Sequence, residues 1–206
     1  MNFAEYNVKD ANLEEILLAL KSLDTVEAVA LGGSRSTGAS DENSDYDIYV
    51  YCLEIPTGKT RENLLGKYCS IAEFGNHYWE SEDNTVMNNG IPVDIIYREV
   101  DRFGRYIDTV IKGGKAFNGY TTAFWHNIKN SKVLFDKTGT FTKFRDMAQI
   151  DFPENLRSAI IKNNRNLLNG KLPSYDRQIK KAQERGDIVS VNHRITAFLE
   201  SYFDVI

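Results

Sequence analysis

Three aspartates carry the chemistry this sequence could perform. Asp45 and Asp47 stand two apart in Asp45-Tyr46-Asp47-Ile48-Tyr49-Val50, where Ile, Val and Tyr favour a pleated strand. Alternation along such a strand puts both carboxylates on one face, about 7 Å apart, and leaves Ile48 and Val50 on the other. Asp94 lies in Ile91-Pro92-Val93-Asp94-Ile95-Ile96, an apolar strand where an isolated acid would be costly. If the two strands are neighbours the acids converge, and a divalent cation relieves their repulsion. Oxygen-only ligation favours Mg²⁺ or Mn²⁺ over zinc, and His77, His126 and His193 are too scattered to offer zinc spacing. Singly, each acid has a plainer reading: Asp45 capping a turn after Ser44, Asp94 closing a strand. Together they favour a cation site.

Upstream stands Gly32-Gly33-Ser34, followed by Gly38. Paired glycines let the backbone turn sharply and bring its N–H groups close to a ligand. Ser34 adds a hydroxyl at the mouth of a helical turn, where anions are favoured, and Gly38 permits a second close approach. This is neither a Walker A nor a GxGxxG pattern, so P-loop and Rossmann phosphate sites are disfavoured.

The elements that must position these residues are legible in part. Asn12 to Glu15 reads as a capping box opening a helix with Leu13, Ile16, Leu17 and Leu20 inward. Strands are expected at Val26–Leu31, Tyr46–Tyr51, Ile91–Tyr97 and Lys132–Phe135, and helices at Arg61–Phe74 (capped by Gly75), Asp101–Lys112 and Thr121–Ile128. From Glu154 onward the patterns are helical: a first helix marked by Leu156 to Leu168, a polar basic one over Tyr175–Arg185 and a third from Ile188. The fold class is therefore α+β, a mixed sheet flanked by helices over residues 1–150, followed by an all-α region over 151–206. The last helix reaches Val205-Ile206 without a cap, which points to a truncated chain or an end that packs on a partner. The C-terminal helices are thus a candidate oligomer contact.

With 206 residues, 42% hydrophobic and 26% charged, the chain has globular composition. Its net charge of −4 weakens any reading that needs a broad basic nucleic-acid surface. No apolar run approaches a membrane span, no signal peptide opens the sequence, and Cys52 and Cys69 are too few for a disulfide scaffold. A cytoplasmic protein is expected.

Gly-Gly-Ser, Gly38, Ser44-Asp45-Tyr46-Asp47 and a later Asp94 together resemble the nucleotidyltransferase superfamily that includes DNA polymerase beta and the antibiotic-modifying nucleotidyltransferases. Its hallmark is a GG[ST] turn, a DxD on the next strand and a third acid on another; the likeness spans residues 24 to 100. The resemblance implies that Asp45 and Asp47 hold two Mg²⁺ ions, that Asp94 completes the one activating an acceptor hydroxyl, and that Gly32, Gly33, Ser34, Gly38 and Ser44 form the nucleotide-binding turn. The product would be a nucleotidylated acceptor and pyrophosphate. Relatives acting on tRNA ends carry Arg-Asp two residues after the glycine turn, whereas Gly33 here precedes Ser34-Arg35-Ser36-Thr37. The helical extension is closer in type to lincosamide and aminoglycoside nucleotidyltransferases, so a small hydroxylated acceptor, an antibiotic among them, is the expectation. The alternative is a catalytically silent, antitoxin-like or regulatory partner binder on the same fold.

An additional acid acting as general base has no motif to place it; Glu80, Asp83, Glu184, Asp187 and Glu200 are all available. Tyr49, Tyr51, Tyr78, Trp79, Tyr97 and Trp125 could supply a stacking platform, although aromatic residues favour cores and sheets in any case. Lys180, Lys181 and Arg185 could meet phosphate, but a basic helix face is usually just solvated.

Overall fold

Two strands whose apolar residues are continuous or alternate lie at the centre of a mixed sheet. A computed structural model describes residues 8–42 and 44–206. Among these, β1 (Val26–Leu31), β2 (Tyr46–Cys52), β3 (Cys69–Asn76), β4 (Ser81–Met87), β5 (Pro92–Glu99) and β6 (Lys132–Asp136) form one sheet in the order β3-β4-β5-β2-β1-β6. Only β2 and β5 run parallel; the other neighbours are antiparallel. β1 is buried at all six positions, Glu27 included, and its otherwise apolar sequence suits a strand covered on both faces.

The sheet separates two environments by alternation. On one face Val29, Leu31, Ile48, Val50, Val93, Ile95 and Met87 join a core with Leu13, Ile16, Leu17 and Leu20 of helix α1 (Ala11–Lys21) and Leu65 of α3 (Gly58–Leu65). On the other face Tyr51 packs its ring at 5.2–5.8 Å from Phe103, Phe141 and Phe144. These phenylalanines come from α4 (Val100–Ile111) and α6 (Thr140–Ala148). The aromatic cluster covers one end of that face, and the acids lie toward the other end.

The chain divides into two compact units. One comprises residues 1–105 and 127–149, the other 106–126 and 150–206. Read by chain order, 1–150 is one stretch; here 106–126 group instead with the C-terminal helices α7 (Glu154–Leu168), α8 (Tyr175–Glu184) and α9 (Ile188–Val205). Asp204 explains part of that grouping. Its carboxylate accepts from the Thr121 N–H (2.8 Å), the Thr121 hydroxyl (2.9 Å) and the Asn164 amide (2.8 Å), tying three separate segments together. Among the described residues no helix is long and apolar enough to cross a membrane.

Several local expectations give way to tertiary context. The helix expected over Arg61–Phe74 is only Gly58–Leu65 plus a single 3-10 turn, after which Cys69–Asn76 is an edge strand paired to β4. Gly75 does not cap a helix: it lies in an irregular stretch of β3, and its N–H donates to Asp83 at 2.8 Å. The cap of α1 is Asp10, whose carboxylate accepts from Asn12 and Leu13 N–H at 2.9 and 3.4 Å, not Asn12. β4 escapes the hydrophobic pattern because Asp83 and Thr85 occupy core-facing positions.

Asp83 is tolerated there because Arg61 is buried with it. Their side chains are 0% and 2% exposed, with Nη2 and Oδ1 3.5 Å apart, and the guanidinium also lies 4.3 Å from the Tyr97 ring centroid. Burial pushes the Asp83 carboxyl up from its ordinary value, against the Gly75 N–H and Arg61. Removing one partner strands a buried charge. Asp83→Ala is therefore expected to cost about 3–5 kcal/mol in urea unfolding, whereas the paired replacement Arg61→Met/Asp83→Leu should recover most of the loss.

Candidate active site

The parallel pairing of β2 and β5 brings the expected acids to one face. Asp47 is the direct ladder partner of Asp94, on strands about 4.8 Å apart, and Asp45 precedes Asp47 by two residues at the entry to β2. Asp47 is half-buried. Its carboxyl is pushed up from 3.8 to about 6, by burial first and then by the charges of Asp45 and Asp94. Across β5, Asn84 of β4 is the register partner of Asp94 and donates its side-chain amide to Asp94 Oδ1 at 3.0 Å.

The glycine turn closes against this row. The Gly32 N–H donates to the Asp47 carbonyl at 2.8 Å. A Cβ at Gly32 would lie 2.2 Å from the Tyr49 ring, and one at Gly33 would lie 1.7 Å from Asp47 Oδ2. Gly33 also takes φ 58°, a left-handed backbone that disfavours side chains. Both glycines thus let the turn lie directly on β2. Gly38 has a different reason: it caps the short helix α2 (Gly33–Thr37) at φ 80° with its N–H on Ser34 O, and a Cβ there would meet nothing within 4 Å. Within the chain itself the left-handed backbone is what calls for glycine at this position.

Arg35 is the residue the sequence reading passed over. Its Nε donates to the carbonyls of Asp45 (2.8 Å) and Ser44 (3.1 Å), its Nη2 reaches Ser44 O as well, and its guanidinium lies 4.1 Å from the Tyr46 ring centroid. It therefore fastens α2 to the entry of β2 and fixes the backbone that carries Asp45. No spacing rule announces this, since the partners are backbone oxygens. Ser44 turns its hydroxyl to Asp41 Oδ1 at 2.9 Å and accepts the Asp41 N–H at 3.0 Å, a local turn before the strand.

The remaining candidates separate clearly. Tyr49, Tyr51, Tyr97 and Trp125 are buried, whereas Tyr78 and Trp79, between β3 and β4, are 77% and 91% exposed. Tyr49 lies beneath the Arg98 guanidinium at 4.2 Å, and burial pushes its hydroxyl up to about 12. Glu80 is engaged in a two-point ion pair with Arg98 at 2.7 and 2.8 Å. Asp83 belongs to the opposite, core face. Glu184, Asp187 and Glu200 lie in the second unit, where Asp187 caps α9 through the Ser190 N–H at 3.0 Å. Lys180, Lys181 and Arg185 are exposed on and just after α8. Glu82, not singled out from sequence, is 8% exposed on the same face as Asn84. Burial and the charges of Asp94 and Glu80 raise its carboxyl.

Among the described residues, no three or more His, Cys, Asp or Glu side chains are grouped closely enough to hold a metal ion as they stand. One oxygen of Asp94 is engaged by Asn84. The donor set nevertheless fits a hard divalent cation. It is all carboxylate oxygen, and the like charges of Asp45 and Asp94, which add to burial in raising Asp47, are what such a cation would offset.

Residues 13–117, just over half of the chain, match the family described as a nucleotidyltransferase domain. No curated protein matches the chain in sequence. Among solved structures it is similar to a nucleotidyltransferase-like protein from Exiguobacterium sibiricum 255-15, at 10% identity and TM-score 0.43 over 92% of this chain and 53% of that one. A CCA-adding enzyme bound to CTP aligns at 15% identity and TM-score 0.36, over 95% of this chain and 49% of the other. A STING-associated CdnE c-di-GMP synthase from Capnocytophaga granulosa aligns at 13% identity and TM-score 0.32, over 95% and 78%. The chain thus spans about half the length of the first two.

Two measurements probe this geometry. A raised carboxylate keeps its proton in the folded state where the unfolded chain has lost it, so stability falls as pH rises from about 4 to about 6. Asp47→Asn removes that slope: its metal-free melting temperature should match the parent near pH 4 and exceed it at neutral pH. In urea unfolding, Gly38→Ala should lose the ~1–2 kcal/mol of a left-handed alanine. Gly33→Ala should lose more, since Asp47 must also move.

Proposed function

The chain belongs to the nucleotidyltransferase domain family, and on that premise we propose that it is a Mg²⁺-dependent enzyme moving a nucleoside monophosphate from an NTP to a hydroxyl of a small molecule. The observation that carries this reading is the in-register pair Asp47–Asp94, with Asp45 two residues upstream and the Gly33 backbone against the Asp47 carboxylate. The acceptor oxygen forms a bond to the α-phosphorus, the bond from that phosphorus to pyrophosphate breaks, and the hydroxyl proton leaves to solvent or a nearby carboxylate.

Each residue has a role in that step. Asp45 and Asp47 would hold both ions, and Asp94 would share the one beside the acceptor. Bound divalent cations supply charge stabilisation to the attacking and leaving oxygens of an in-line displacement. Ser34, with the backbone at Gly33, would hold the triphosphate. Arg35 keeps the Asp45 backbone in place through the carbonyls of Ser44 and Asp45. The aromatic cluster of Tyr51, Phe103, Phe141 and Phe144 closes the far end of the same face against water.

A small acceptor is favoured over a nucleic acid by the net charge of −4 and by Ser36 standing where relatives acting on tRNA ends carry aspartate. Tyr78 and Trp79, exposed beside the Glu80–Arg98 pair, offer ring surface, and lincosamides and aminoglycosides are the first acceptors to try.

Pyrophosphate release from each NTP should require Mg²⁺ together with one of these acceptors. Incorporation into tRNA but into no small molecule would overturn the acceptor assignment. Equal ATP affinity with Mg²⁺ and with EDTA would overturn the metal-bridged site. Ser34→Ala should lower kcat/KM for NTP roughly tenfold to a hundredfold, the worth of a hydrogen bond to a charged group.

A further inference from the structure

The acid row does not end at Asp94. Glu73 of β3, Asn84 of β4, Asp94 of β5 and Asp47 of β2 are successive ladder partners, so four polar side chains cross the sheet at one level. Within that row, Asn84 Nδ2 donates to Asp94 Oδ1 at 3.0 Å, while Asn84 Oδ1 accepts from Asn76 Nδ2 at 2.8 Å. Asn76 in turn reaches Glu73 Oε2 at 3.4 Å. These bonds fix the sense of the Asn84 amide. Reversed, it would set oxygen against the Asp94 carboxylate and NH₂ against the NH₂ of Asn76, losing both bonds.

We propose that Asn84, oriented by Asn76, is the positioning residue for Asp94: it sets the plane of that carboxylate beside Asp47. An amide N–H can only donate and a carboxylate oxygen accepts, so the bond fixes one oxygen of Asp94 in place. The bond runs along the sheet, from the side of Asp94 away from Asp47, because Asn84 and Asp47 are its partners on opposite neighbouring strands. Asn76 can serve because β3 is irregular between Glu73 and Asn76, which brings an edge-strand side chain out of plain register into reach of Asn84. The inference rests on the function proposed above.

The test compares the full-length chain with Asn84→Ala, Asn84→Gln and Asn76→Ala, reading Mn²⁺ affinity by calorimetry without nucleotide, melting temperature, and kcat and KM for NTP. Supporting a ligand from behind is commonly worth roughly 10–100-fold in metal affinity or activity. Asn84→Ala should weaken Mn²⁺ by that order and lower kcat with KM for NTP little changed. Asn84→Gln, which keeps the donor, should recover part of both. Asn76→Ala should shift Mn²⁺ affinity in the same direction by less, and it also serves if Asn84→Ala folds poorly. Wild-type Mn²⁺ affinity and kcat in Asn84→Ala, or losses in Asn76→Ala confined to melting temperature, would overturn the positioning role while leaving the enzyme reading intact. Absence of both Mn²⁺ binding and NTP turnover in the unaltered chain would overturn that reading and this one with it.

Discussion

A carboxylate resting on bare backbone is the contact on which the acid end of the sheet depends. Asp47 Oδ2 occupies the space a side chain at Gly33 would need, so the turn and the strand can meet only if one contributes no atoms beyond its main chain. That closeness has an electrostatic cost. Asp47 loses water on the turn side while Asp45 and Asp94 add like charge from two others, and the carboxyl answers by holding its proton to about pH 6. Elements nearby stabilise the arrangement. The Gly32 N–H bonds the Asp47 carbonyl, Arg35 bonds the carbonyls of Ser44 and Asp45, and Asn84 holds Asp94.

The two faces of the sheet manage charge in opposite ways. On the core face Asp83 is matched by Arg61 at close range, and the pair is sealed from solvent. On the other face Arg98 directs two donors to Glu80, so its charge is answered some four residues along β5 from Asp94. Negative charge therefore accumulates where β2 begins. One face holds a balanced buried pair, the other gathers carboxylates where β2 begins, with Arg35 bonded to backbone carbonyls there, and the period-two alternation of β4 and β5 keeps the two apart.

What the sequence revealed followed the same physics. β1, β2 and β5 are apolar enough to be recognised from their residues, and their acids stand out because carboxylates are costly in such runs. Ser81–Met87 was invisible as a strand because its inward positions include Asp83 and Thr85, acceptable only when Arg61, the Gly75 N–H and the Val93 carbonyl are already in place. Leu64, Leu65, Tyr68, Ile71 and Ala72 fit a helical spacing, yet Cys69–Asn76 is a strand because β4 is there to pair with it. Asn84 and Arg35 were hidden for a related reason. Their importance lies in which backbone or side chain stands opposite, and register is a property of the assembled sheet.

The strand order also sets a timetable. β6 pairs with β1 across about a hundred residues, and between them the chain passes through 106–126, which belong to the second unit. At ribosomal rates of roughly 5–20 residues per second, the outer edge of β1 waits on the order of 5–20 s for its partner. That edge is Val-Glu-Ala-Val-Ala-Leu, the kind of apolar strand that recruits other chains when left open. The nascent protein is thus most vulnerable to aggregation after its acidic strands have emerged and before Lys132–Asp136 has followed, an interval fixed by topology rather than by final stability.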